Sequence, residues 1–173
     1  MNYHAGGMRR VEVSADVLRG TAIFAGLSDA DRAALAVCFV GRAYGRGEIV
    51  VREGDPGDAM MVIAAGTFVA TMRRHDGGEE VLNRMSAGEV AGEMTFLDPA
   101  PRSATVTAAT EGIVYELSHD AMEILRARAP AAVSAIVTVA LADVTRRLRT
   151  LDDRVQLALS RLSQLPVDPR LEP

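Results

Sequence analysis

Tryptophan is absent from this 173-residue chain, and aromatic residues make up only 4% of it. A core must therefore be assembled from Val, Leu, Ile, Ala and Met. The single cysteine, Cys38, excludes a disulfide framework within one chain and fits a reducing compartment. It lies in the apolar run 35–40, where it reads as a small buried hydrophobe rather than a reactive thiol. No stretch approaches the ~18 continuous apolar residues of a membrane span. The longest candidate, 129–142, is interrupted by Pro130, Ser134 and Thr138. The first ten residues are polar and no apolar segment follows them, so no secretory signal is read. A soluble, cytoplasmic protein is expected. A net charge of −4 and a pI near 5.4 argue against a dominant nucleic-acid surface. His4, His75 and His119 are scattered and form neither a metal-ligand spacing nor a nucleophile–base pair with Cys38. No catalytic residue, metal or cofactor is assigned, and an enzyme is not expected.

What is present is apolar and periodic. Hydrophobic residues make up 49% of the chain, enough for a packed domain. Residues 1–13 read as a flexible start. Ser14 and Ser28 sit where helix N-caps belong, and Asp29 and Asp31 suit a positive helix start. Leu27, Leu35 and Phe39 then fall on one face. From Phe39 onward, glycines punctuate short apolar runs at 48–52, 60–64, 67–73, 80–85, 104–109 and 113–117. Strands at this spacing predict a barrel or sandwich, with a hairpin turn at His75-Asp76-Gly77-Gly78. Ser118-His119-Asp120 opens another helix, whose apolar set is Met122, Ile124 and Leu125, and Pro130 marks a break. Over 131–165, Val137, Leu141, Val144, Leu148, Leu151, Val155, Ala158, Leu162 and Leu165 recur at alternating steps of four and three. That is a heptad seam, which predicts a parallel two-chain coiled coil. Arg147 and Asp152 have the spacing that joins flanking positions across such a dimer. The proline-rich tail 166–173 is expected to be disordered.

One segment, 88–105, carries chemistry. Gly88 and Gly92 permit tight turns, and Glu93 opens a short helical turn ending at Leu97. Pro99 and Pro101 force extended backbone before Arg102. A glycine-preceded helix start turns backbone N–H groups outward, which suits an anion. Arg102 adds a planar fork matched to phosphate oxygens. Glu93 is misplaced beside a phosphate unless it accepts from a hydroxyl. Two readings stand on the residues alone: an ion pair between Glu93 and Arg102, or a ligand carrying both a phosphate and a sugar hydroxyl.

Gly92-Glu93, followed by Pro101-Arg102-Ser103-Ala104-Thr105, resembles the phosphate-binding cassette of the cyclic-nucleotide-binding domain family. The resemblance extends over roughly 18–155 and includes Ile23-Phe24-Ala25-Gly26-Leu27, Gly47-Glu48-Ile49-Val50, Glu53-Gly54-Asp55 and Gly66. It implies an α+β fold: a β-roll or jelly-roll barrel of about eight antiparallel strands at 14–130, with flanking helices and the long C-terminal helix. It further implies that Glu93 binds the ribose 2′-hydroxyl and Arg102 the exocyclic phosphate oxygens. Backbone amides near Gly92, Met94, Ser103 and Ala104 would complete the site. Val90 stands where the family often has Phe. Ser103 stands where a hydroxyl often favours guanine and Ala favours adenine, though bacterial members with Ser also look like cAMP binders. Thr145-Arg146-Arg147-Leu148 matches the helix that touches the base in members of the catabolite-activator type. Leu151-Asp152 replaces the Thr-Ser pair that lies near the adenine there, and Asp152 is read as pairing with Arg147 in preference to the base. The resulting expectation is a homodimeric sensor of a cyclic nucleotide, cAMP ahead of cGMP, acting on an unidentified protein partner or output domain. The alternatives are a ligand-free scaffold and a truncated transcription regulator. Only 18 residues follow Val155 and they hold no recognition helix, so direct DNA binding is not expected.

Overall fold

Seven small or apolar residues in succession, Ala59–Ala65, cannot divide into a wet and a dry face, so a strand made of them must be covered on both sides. They form β4 in the computed structural model, which describes residues 9–98 and 100–163. β4 lies in a five-stranded sheet of order β1-β2-β9-β4-β7, with β1 Arg9–Val11, β2 Val40–Tyr44, β7 Val90–Ala91 and β9 Gly112–Ser118. The second sheet has order β3-β8-β5-β6, with β3 Ile49–Val51, β5 Thr67–Arg73, β6 Glu79–Ser86 and β8 Thr105–Ala108. Every pairing is antiparallel.

Alternate residues of the first sheet feed two cores. Met61, Ile63, Ala91 and Val114 meet Phe68, Met85 and Val106 between the sheets. Met60, Val62, Tyr115 and Leu117 face the other way, onto Leu18, Phe24, Leu35, Met122 and Leu125 of the helical layer. Each such side chain contributes roughly 1.5–3 kcal/mol by leaving water. Cys38 packs partly buried against this second core.

The helices begin where serines cap them. Ser14 accepts from the Val17 N–H before α1 Ala15–Arg19, and Ser28 from Asp31 before α2 Asp29–Cys38. Ser118 accepts from Ala121 at the head of α4 His119–Arg128. α3 Glu93–Leu97 starts from Gly92, whose φ of 75° no other residue adopts cheaply. α5 runs from Pro130 to Ser163.

Three expectations change. Residues 9–11 were expected within a flexible start, yet β1 pairs with β2 there, and Gly41 lets the strands meet because a Cβ on it would lie 2.6 Å from the Val11 carbonyl oxygen. Residues 1–8 and the tail 166–173 lie outside the described residues. β2 and β7 add strands that the apolar runs did not announce. Pro130 marks the break between α4 and α5 as expected and itself takes the first position of α5, which needs no N–H. Ile124 is 50% exposed, leaving Met122 and Leu125 as the buried set of α4.

α5 carries two distinct faces. Ala132, Ile136, Ala140 and Asp143 are buried against the body of the domain. The seam lies elsewhere on the helix: Leu141, Leu148, Leu151 and Val155 are each about half exposed. Among the described residues, no helix is long and apolar enough to cross a membrane.

Candidate functional site

Arg102 is the centre of the site and is only 6% exposed. Two glycines make room for it. A Cβ on Gly92 would fall 2.2 Å from its Nη1, and one on Gly57 would fall 3.1 Å from its Nε and 2.6 Å from Thr95 Oγ1. In this slot Nη2 donates to the Ala59 carbonyl at 2.7 Å, and Nη1 donates to Thr95 Oγ1 at 2.9 Å and to the Gly92 carbonyl at 3.5 Å. Among the described residues the buried Nε–H has no hydrogen-bond partner. Burial pushes the guanidinium below its ordinary pKa, while Asp58, Glu116 and Glu93 act in the opposite direction.

Glu93, at the start of α3, is fully buried. Arg102 is not its ion-pair partner, which sets aside the first of the two readings of this loop. Its carboxylate meets Arg147 of α5, with Nη1 2.9 Å from Oε1 and Nη2 3.5 Å from Oε2. Arg147 also lies 2.6 Å from Asp143, one helical turn back. Arg146 contacts Asp143 as well and reaches Glu89 at 3.0 Å. Burial alone would raise the Glu89 carboxyl, but the Ser86 N–H, Arg146 and the Ser86 hydroxyl together hold it below its usual range. A ladder of five charges, Glu89, Arg146, Asp143, Arg147 and Glu93, thus fastens α5 to the cassette.

Two cavities meet at this ladder. The inner one, about 40 Å³, is lined by Met61, Ala91, Glu93, Arg102, Ser103 and Arg147. The outer groove, about 380 Å³, is walled by Met72, Leu82 and Asn83 of the second sheet and by Arg147, Thr150 and Leu151 of α5. Met94, Ser103, Ala104 and Arg147 border both. Arg147 thus stands between an inner space holding Glu93 and Arg102 and an outer groove where apolar side chains sit beside Arg146 and Arg154.

A comparison with known proteins names this arrangement. The profile of the cyclic nucleotide-binding domain matches residues 41–129. The chain belongs to the cyclic nucleotide-binding domain family. It is 37% identical over 101 residues to a cAMP-dependent protein kinase regulatory subunit of Mycosarcoma maydis, covering 58% of this chain and 19% of that protein. It is 32% identical over 107 residues to the CRP-like cAMP-activated global transcriptional regulator of Mycobacterium tuberculosis, covering 62% of this chain and 48% of that one. The chain thus spans at most about half the length of these two relatives. The crystal structure of the N-terminal domain of a transcriptional regulator from Streptomyces coelicolor A3(2) superposes with a TM-score of 0.61 at 34% identity, covering 80% of this chain and 96% of that one. The β-roll with a long C-terminal helix is the architecture of the family.

Within that frame, Gly92, Glu93, Met94, Arg102, Ser103 and Ala104 come together around the inner cavity, and Arg147 joins them from α5. Leu151 lines the outer groove. Two expected residues stand apart. Val90 is buried in the helical core because β7 turns alternate residues to opposite faces, so Ala91, not Val90, lines the cavity. Asp152 is exposed and lines neither cavity, and Arg147 pairs with Glu93 and Asp143 in its place. Sequence reasoning missed Gly57, Ala59 and Thr95, which reach Arg102 through the fold. It also missed Asp143, whose spacing of four from Arg147 was a usable signal.

Proposed function

We propose that the chain binds a cyclic nucleotide monophosphate, cAMP in preference to cGMP, and converts binding into a movement of α5. The observation that supports this most is the pairing of a fully buried Glu93 with a buried Arg102 whose Nε–H lacks a partner, around one cavity. Among the described residues Arg102 uses three of its five donors, which leaves two to meet an anion. In the proposed complex Arg102 takes the exocyclic phosphate oxygens, backbone amides at 92–94 and 103–104 support them, and Glu93 accepts from the ribose 2′-hydroxyl.

An inner space of about 40 Å³ is far below the few hundred Å³ of ligand pockets in general. A nucleotide must enlarge it, and the wall able to retreat is Arg147. Displacing Arg147 from Glu93 moves a residue of α5, so ligand and helix position are linked, and the linkage acts equally in both directions. Arg147 keeps Asp143 as a partner when it leaves Glu93. The base would lie in the outer groove, where Met72, Leu82 and Leu151 supply apolar surface and Asn83 an amide. The half-exposed seam of α5 supports a homodimer through 137–165, the surface by which the signal would reach an output domain or a protein partner.

Calorimetric titration with cAMP and cGMP tests the reading. cAMP is expected to bind the tighter of the two, well below millimolar, and Arg102→Ala to weaken it about 100-fold or more. Absence of binding by both nucleotides, or an unchanged affinity in Arg102→Ala, would refute it.

A further inference from the structure

Thr95 stands in the middle of α3 and is 3% exposed. Its hydroxyl donates to the Gly92 carbonyl at 3.2 Å, the bond that a helical threonine commonly makes to the preceding turn. A hydroxyl has one hydrogen, so with that hydrogen committed Oγ1 only accepts. What it accepts is an Arg102 Nη1–H, at 2.9 Å. The Gly92 carbonyl also accepts from Nη1, at 3.5 Å, and from the Phe96 N–H at 3.1 Å. Nη1 is thereby tied to α3, while Nη2 is tied to the Ala59 carbonyl of β4 at 2.7 Å.

None of these anchors is charged. Asp58, Glu116 and Glu93 act on the guanidinium from beyond ion-pair distance, and among the described residues no carboxylate pairs with it. A carboxylate in place of the Thr95 hydroxyl would orient the guanidinium and compensate its charge in the same act. A hydroxyl and two carbonyls orient it and leave the charge to a ligand. The fold makes room for this hydroxyl, since a Cβ on Gly57 would lie 2.6 Å from Oγ1. Two short anchors, at Ala59 and Thr95, fix the plane of the fork. With one of them gone, the plane pivots about the other.

We infer that Thr95 is a positioning residue for the anion: its hydroxyl is the neutral anchor that locks the Arg102 guanidinium to the start of α3, so the fork meets the ligand already oriented and still charged. Ordering of the fork is complete before the ligand arrives, and none of the binding free energy goes into it. The inference takes its ligand from the cyclic-nucleotide reading above, but the lock belongs to the ligand-free protein. It leaves the cradle in place while Arg147 is the wall that moves. An oriented fork also has a handedness. The two exocyclic oxygens of a cyclic phosphate are stereochemically distinct, and a fixed guanidinium tells them apart where a pivoting one averages them.

Two measurements on the intact chain decide it. In the ligand-free protein, ¹H–¹⁵N NMR of the arginine side chains should resolve the two hydrogens of Arg102 Nη1 as separate signals. They should merge in Thr95→Val, which keeps the shape and loses the hydroxyl, and separate again in Thr95→Ser. Thr95→Ala supplies the same comparison if valine prevents folding. Merged signals in the wild type, or separate ones in the valine and alanine variants, overturn the lock whatever the nucleotide does. In calorimetry, Thr95→Val should weaken cAMP about tenfold, the worth of a hydrogen bond to a charged group, and Thr95→Ser should restore it. The two diastereomers of adenosine 3′,5′-cyclic phosphorothioate, with sulfur on one or the other exocyclic position, give the readout that general damage to the fold leaves alone. Wild type and Thr95→Ser should favour one diastereomer, and in Thr95→Val the ratio should fall toward one. Equal affinities in the wild type, or a ratio unchanged in Thr95→Val, overturn the inference. Failure of cAMP and both phosphorothioates to bind the wild type would refute the nucleotide reading, while the NMR comparison would still decide the role of Thr95.

Discussion

The inner cavity and the outer groove share a wall but are built on different principles. The inner one is small and holds Glu93, Arg102 and Arg147, and its geometry comes mainly from backbone: a glycine at positive φ, a second glycine under the guanidinium, and two accepting carbonyls, with the Thr95 hydroxyl as a third acceptor. The outer one is roughly ten times larger and lined mainly by side chains from one sheet and from a single helix. In the proposed complex the backbone cradle would hold what all cyclic nucleotides share, and the groove of side chains, one wall of which belongs to α5, would meet the base.

Gly92→Ala should break the inner cradle most severely. It places a non-glycine residue in the left-handed region, at a cost of about 1–2 kcal/mol, and drives a Cβ into the Arg102 guanidinium. Chemical denaturation should show the lower stability, and cAMP affinity should fall toward that of Arg102→Ala. Leu148→Asp tests whether α5 acts alone. The half-exposed seam predicts a dimer in sedimentation that this substitution converts to monomer, and a monomeric wild type at high concentration would remove the seam from the mechanism. A smaller effect is expected from Leu151→Ala, which trims the groove without touching the cradle. cAMP should weaken about fivefold, as one buried leucine edge allows, and the ratio of cAMP to cGMP affinity should change. Tyr44→Phe is the control, altering the barrel interior and neither cavity. Burial first, and then Glu116, raise the Tyr44 hydroxyl to about 12. An acid raised by folding is neutral in both states at lower pH, so its stability contribution is complete there and is lost as pH climbs from about 10 toward the folded value. Denaturation at about pH 9 and about pH 11 should show a shallower loss in Tyr44→Phe, with nucleotide affinity unchanged at neutral pH.

The parts of the site legible in the sequence were those whose chemistry is local. Gly92, Glu93 and Arg102 announce themselves by residue type within eleven positions, and the strands of the barrel follow from apolar runs between glycines. Contacts across the fold were not legible. The partner of Glu93 stands 54 residues away on α5. Seam spacing pointed Arg147 toward Asp152 of a second copy, whereas within the chain it lies one helical turn from the buried Asp143 and pairs with it. β7 is only two residues long, and nothing in the sequence says which of Val90 and Ala91 faces inward.

The ladder that fastens α5 has a consequence for which phosphates the site tolerates. Glu89, Asp143 and Glu93 carry three negative charges, and Arg146, Arg147 and Arg102 carry three positive ones. These six charges sum to zero, and Asp58 and Glu116 add negative charge beside Arg102, so an incoming anion meets no net positive excess. A cyclic phosphodiester brings one negative charge. The ring-opened monophosphate brings about one and a half to two, in an interior where each unit of excess charge weighs more than in water. In the proposed complex, hydrolysis of the cyclic bond would therefore raise the electrostatic cost of staying bound, so a ring-opened product would be released by charge as well as by shape.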